Sequence, residues 1–181
     1  MSKNGLILLT PTSVDTTGGG STATISANGS VSFTACSVLS LNGVFSADYD
    51  NYMVLWAGAN STTDIPIYRL RASGTDATAS NYVTQNLSAT GTTVSGTRTA
   101  ANGYGWYGYT STSKFGNTSF FYGPFLSQPT AVRLLSVNSR DGAYLHDDAS
   151  THSLSSSYDG FTITAQNGSF TGRVAVYGMR K

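Results

Sequence analysis

Apolar and polar positions alternate along this chain in short runs with a period of two. In "IYRLRAS", Tyr68, Leu70 and Ala72 fall on one side of an extended segment and Arg69 and Arg71 on the other, as a half-buried strand requires. The arginine side is expected to meet solvent or an interface. Similar runs are "GLILL", "SVSFTA", "VLSLNGVF", "YMVLWAG", "NYVTQNLS", "GWYGYT", "SFFYGPF", "AVRLLSVN", "FTITAQ" and "GRVAVYGM", separated by clusters of Gly, Asn, Asp and Ser. No stretch sustains the 3.6-residue apolar period of a helix. About ten strands with regular turns predict an all-β, jelly-roll-like two-sheet β-sandwich with under about a tenth helix.

Residues 10–29, "TPTSVDTTGGGSTATISANG", are poor in apolar side chains and contain three consecutive glycines, which favours an extended N-terminal arm. The expected organisation is therefore an N-terminal strand and flexible arm over 1–29 and a single β-sandwich domain over 30–181. Leu6, Ile7, Leu8 and Leu9 form a short apolar run with little core of their own, expected to attach as an edge strand or to pack on a neighbouring protein. No internal repeat of fixed period is present.

Composition sharpens this picture. The 181 residues suit one domain, and only 10% are charged against a typical ~25%, while aromatics reach 12%. A polar, uncharged, aromatic-rich chain suits sheets with hydroxyl residues outside and Val, Leu, Phe and Tyr inside. With a net charge of +1 and scattered Lys and Arg, no basic face is expected to bind nucleic acid. The single Cys36 lies in "FTACSVLSL", which reads as buried strand and leaves no disulfide or cysteine-rich zinc site within the chain. The opening apolar run of about four residues is far short of a signal core or a ~20-residue span, so synthesis in a cytoplasm and no membrane partner are expected.

Candidate chemistry is thin. Asp48, Asp50 and Asn51 in "SADYDN" carry oxygens that could ligate calcium, but the EF-hand pattern is missing and the residues equally suit a turn entering the strand "YMVLWAG". His146, Asp147, Asp148 and His152 in "LHDDASTH" include both histidines, yet their spacing differs from helical zinc motifs, and an exposed loop is expected. Every acidic residue is an aspartate, no GxSxG elbow is present, and neither a catalytic residue nor a cofactor or metal is assigned. In "NGYGWYGYTS", Tyr104, Trp106, Tyr107 and Tyr109 sit among glycines that would let the backbone present their rings to a subunit interface or to a glycan.

Three segments in order, "LNGVFSADYDNYMVLW", "YRLRASGTDATASNY" and "GRVAVYGMRK", resemble a family of tailed-bacteriophage virion surface proteins. The match covers residues 41–82 and 172–179 and leaves 90–160 unmatched. The resemblance implies a jelly-roll-like fold and a non-enzymatic structural role on the virion surface. It implies either a capsid decoration (cement) protein that stabilises capsomer contacts, or a tail-fibre or receptor-binding module with a host surface glycan as ligand. The partners it implies are copies of the chain, as a homotrimer, together with the major capsid protein or tail proteins. Synthesis would then take place in the host bacterial cytoplasm.

Overall fold

The computed structural model describes residues 5–138 and 144–181. Every regular element among them is a β-strand: β1 (Leu6–Leu9), β2 (Ser13–Thr17), β3 (Thr22–Ile25), β4 (Val31–Cys36), β5 (Val38–Asn42), β6 (Asn51–Asn60), β7 (Ile67–Ala72) and β8 (Thr75–Asp76). They continue with β9 (Tyr82–Thr90), β10 (Thr93–Asn102), β11 (Gly105–Trp106), β12 (Phe115–Tyr122), β13 (Thr130–Asn138), β14 (Tyr144–His152), β15 (Gly160–Thr164) and β16 (Phe170–Met179).

The strands form two antiparallel sheets. The large one runs β10-β9-β14-β13-β12-β6-β16-β4-β3, with β1 also on β16, and the small one runs β11-β7-β15-β5-β2, with β8 on β7. Within them β4-β16-β6-β12 faces β5-β15-β7-β11, and the chain crosses between sheets at each step from β4 to β7. That is the jelly-roll connectivity of two interleaved Greek keys. Two hairpins, β9–β10 and β13–β14, pair with each other through β14 and β9 and widen the large sheet beyond β12.

The alternation that predicted these strands is realised in the body. In β6, Tyr52, Val54 and Trp56 are buried while Met53, Leu55 and Ala57 face out. Aromatic rings bridge the sheets, with Phe121 5.2 Å from Phe161 and Tyr68 5.8 Å from Phe121, and within the large sheet Trp56 meets Phe115 and Phe170 at 4.6 and 5.0 Å. Edge-to-face and offset pairs of this kind add to the area that the rings bury.

The expected extended arm is replaced by paired strands. β1 pairs with β16 from Leu6↔Met179 to Leu9↔Val176, β2 pairs with β5, and β3 pairs with β4. Leu9, Val14, Ala23 and Ile25 pack against the core, so Leu6, Ile7, Leu8 and Leu9 are engaged by the chain itself. Low apolar content misleads here because these are edge strands that bury one face only partly. Thr-rich alternation satisfies such an edge, and the glycine run 18–20 closes the turn between β2 and β3. Residues 1–4 of the expected arm lie outside the described residues.

Candidate functional site

The least ordinary surface of the molecule is the outer face of the large sheet where the two hairpins extend it. Strand pairing lines up Ala57, Gly116, Val137, Leu145, Ala89 and Val94 in one row and Leu55, Thr118, Leu135, Asp147, Leu87 and Gly96 in the next. Val94, Leu87 and Val137 are 66, 54 and 53% exposed, and Leu145, Leu135 and Leu55 are exposed as well. Five gaps of ~4.8 Å between strands make this face about 24 Å wide, with a patch on the order of 400 Å², the size at which exposed apolar surface tends to be functional. Its central charge is neutralised in place, with Arg133 Nε and Nη2 donating to Asp147 Oδ1 and Oδ2 at 3.1 and 2.7 Å. The face therefore offers shape and apolar area rather than net charge.

Behind it, the inner face of β9 and β14 and of the adjoining parts of β12 and β13 is polar. Thr84, Asn86, His146, Asp148, Ser150, Ser136 and Asn117 are all buried there. What covers them is a strap, residues 103–112, that has only the two residues of β11 in a ladder. A strap without a ladder must find other partners for its backbone. The sheet supplies them: Trp106 N–H donates to Thr84 Oγ1 (3.3 Å), Gly108 N–H to Asp148 Oδ2 (3.0 Å) and Tyr109 N–H to Ser136 Oγ (3.2 Å). Ser136 Oγ donates back to the Tyr109 carbonyl at 3.0 Å, and Asn117 Nδ2 donates to the Tyr107 carbonyl at 3.4 Å.

The predicted aromatic quartet thus divides. Tyr107 is fully buried, stacked on Trp56 at 5.5 Å with its hydroxyl 2.8 Å from Ser119 Oγ, and is part of the core. Tyr109 stacks on Tyr144 at 4.5 Å and on His146 at 5.1 Å. Tyr104 lies under the Arg69 guanidinium at 5.9 Å, and it and Trp106 stay half-buried. The glycines serve close approach instead of ring display: a Cβ on Gly105 would sit 2.2 Å from the Tyr68 ring, and Gly108 has φ +79° with Leu134 and Ser136 both 2.8 Å from where its Cβ would be.

His146, Asp147, Asp148 and His152 are not on a loop but on β14, alternating across the sheet. Asp147 faces out to Arg133, while His146, Asp148 and His152 face in. Burial pushes the Asp148 carboxyl up to about 6 from its ordinary 3.8, against the pull of hydrogen bonds from Asn86 and Gly108. Burial likewise lowers His146 to about 4 from 6.5. Asn86 Nδ2 donates to Asp148 Oδ1 at 2.6 Å and lies 3.0 Å from His146 Nδ1. For a neutral imidazole this assigns the proton to Nε2, which has no hydrogen-bond partner. Among the described residues no group of three or more His, Cys or Asp side chains is placed to hold a metal ion.

The remaining candidates serve architecture. Ser46 N–H donates to the Tyr52 hydroxyl at 2.7 Å and that hydroxyl donates to the Ser46 carbonyl at 2.8 Å, so "SADYDN" is a turn pinned beneath the start of β6. Asp48 bonds within the turn to Ser46, and Asp50 pairs with Lys181 at 3.0 Å. Cys36 is buried, and desolvation raises its thiol above the ordinary value. Arg71 is largely withdrawn from solvent and held within the chain: it donates to Asp76 Oδ1 at 2.6 Å, Asn42 Oδ1 at 2.7 Å and Thr162 Oγ1 at 3.0 Å.

Sequence reasoning missed the outer face, although "AVRLLSVN" carried its signal. Apolar residues of both parities, Val132 and Leu134 facing in and Leu135 and Val137 facing out, mark a strand that is apolar on both sides. No protein-family model and no curated protein sequence matches the chain.

Proposed function

We propose that the protein is a non-enzymatic bacteriophage virion structural protein, a capsid decoration or cement protein that seats on the outer shell and stabilises capsomer contacts. The observation that carries this reading is the exposed apolar face built from β6, β12, β13, β14, β9 and β10, a surface suited to docking on another protein and poor in groups for chemistry. The segments that resemble the virion family, 41–82 and 172–179, fall in the jelly-roll body and supply the phage assignment and the homotrimer.

Pairing Leu135→Asp with Val137→Asp tests the role of the face, because both side chains are exposed and their removal leaves the core intact. The expected result is unchanged melting of the isolated chain with loss of incorporation into particles and a wild-type copy number matching the shell. Full incorporation of the double variant overturns the docking face. A copy number matching the tail favours the second reading, a tail receptor-binding module, which the half-buried Trp106 and Tyr104, the latter under Arg69, support as glycan-stacking candidates. For that module, Trp106→Ala abolishes retention on immobilised host glycan.

A further inference from the structure

We propose that β10 is an isologous seam at which two copies of this chain join their large sheets, antiparallel and centred on Gly96. An unpaired sheet edge offers a row of backbone donors and acceptors, and proteins usually blunt such edges with short strands, charges, proline or bulges. Among the described residues the other edge strands are blunted in this way. β1 and β3 have four residues each, β8 and β11 have two each, and β2 has five and carries Asp15. β10 has ten residues, no proline and one charge, Arg98, and its bulge comes only after Thr99. It lies at the end of the sheet, with eight of its ten residues exposed, among them the whole run from Thr93 to Arg98.

The register fixes which groups are free. The two-residue turn Gly91–Thr92 makes Thr90 and Thr93 a hydrogen-bonded pair, and with it Ser95↔Ser88 and Thr97↔Asn86. The N–H and C=O of Val94, Gly96 and Arg98 therefore point away from β9. A second copy running antiparallel can bond all three at once when Gly96 meets the second Gly96, which sets Val94 opposite Arg98 in both directions.

Self-complementarity argues for a copy as the occupant. In this register the strand's one charge never meets itself, and each Arg98 stem lies along an exposed Val94, apolar methylene on apolar methyl. The two glycines leave the centre of the seam free of side chains. The contact also makes the two apolar outer faces continuous, since Val94 and Gly96 end the rows that begin at Ala57 and Leu55. A two-fold seam joins two protomers, so it links two trimers where trimers form and does not itself close one. The seam uses the backbone edge of β10 and adjoins the docking face proposed above, sharing Val94 and Gly96 with it but not Leu135 or Val137.

Cysteine placement reads the register directly. Paired residues in a hydrogen-bonded antiparallel position have Cα atoms about 5.5 Å apart, within disulfide reach, whereas a residue and its copy two positions off are not. Oxidised Gly96→Cys is expected to run as a covalent dimer on a non-reducing gel, while Ser95→Cys and Thr97→Cys alone stay monomeric and the Ser95→Cys/Thr97→Cys pair cross-links. The native Cys36 is buried and does not interfere. In sedimentation, Gly96→Pro removes two N–H donors from the seam and weakens the dimer by roughly thirtyfold. Two variants at a side chain that is 66% exposed guard against misfolding as a cause. Val94→Asp faces Arg98 and tightens the dimer, and Val94→Lys faces the same arginine and loosens it. Equal cross-linking of Gly96→Cys and Ser95→Cys, or Val94→Asp and Val94→Lys acting in the same direction, overturns the seam. Leu135→Asp leaves the cross-linking of Gly96→Cys unchanged, so failure of the docking face and failure of the seam are told apart.

Discussion

The jelly-roll body and the four-strand extension share one sheet but have opposite interiors. In the body, the inner face of β6 and β12 presents Tyr52, Val54, Trp56, Phe115 and Phe121 to the small sheet. In the extension, the inner face of β9 and β14 presents Thr84, Asn86, His146, Asp148 and Ser150 to the strap. The difference follows from what lies opposite. A facing sheet has paired its own backbone and needs only apolar contact, whereas a strap with only β11 in a ladder brings further N–H and C=O groups, those of Trp106, Tyr107, Gly108 and Tyr109 among them, that the side chains of the sheet satisfy. The polar seam is thus the counterpart of the strap, and its buried aspartate and histidine need no catalytic explanation.

Breaking the body should cost most. Trp56→Ala empties the site where the rings of Tyr107, Phe115 and Phe170 converge and should lower unfolding free energy in urea by about 3–5 kcal/mol.

The extension should instead reveal itself through pH. The raised Asp148 adds stability below about 4 that is lost as pH rises through about 6, because the folded state holds this proton more tightly than the unfolded chain does. The lowered His146 acts in the opposite sense, adding stability above 6.5 that is lost as pH falls toward about 4. The two oppose each other between these limits. Asp148→Asn leaves His146 alone, so on acidification from 6.5 to 4 the variant should lose on the order of 3 kcal/mol more than wild type in urea titrations at each pH. Parallel curves for the two proteins would remove the buried pair from the account.

Smaller effects test the strap and the outer face. Ser136→Ala leaves the Tyr109 N–H and C=O without their side-chain partner and should cost about 1–3 kcal/mol by the same urea assay. Val137→Lys, on the outer face of the same strand, should stay within about 0.5 kcal/mol of wild type. Chelator should leave the melting temperature unchanged in a thermal scan. A drop of several degrees would return Asp48 and Asp50 to consideration as calcium ligands.

The same division decides what could be read from the sequence. Body strands such as "YMVLWAG" and "IYRLRAS" alternate because one face meets an apolar layer, and both were legible as strands. β14 was not, since its inward residues His146, Asp148, Ser150 and His152 are as polar as its outward ones. β10 escaped because both of its sides are exposed and no pattern is imposed on it. The turn at Asp48 and Asp50 was readable from local chemistry alone. The strap was not: in "NGYGWYGYTS" the glycines signal close packing only once Tyr68 and Leu134 are known to lie beneath them. Residues 10–29 looked like a linker because hydroxyl-rich edge strands and linkers share a composition.

The position of β16 has a kinetic consequence. This strand, last in the order of the fold, lies in the interior of the large sheet, between β6 on one side and β4 and β1 on the other. During synthesis β4 and β6 emerge early, yet the lane between them stays vacant until the end of the domain appears. At roughly 5–20 residues per second, a nascent chain carries two open strand edges for several seconds or longer, with its aromatic layer only half covered. Pairings such as Leu6↔Met179 also span nearly the whole sequence, which places this domain among slow folders. Acquisition of structure should therefore come as a single late event upon completion of the strand, and chains ending before residue 170 should accumulate as aggregates.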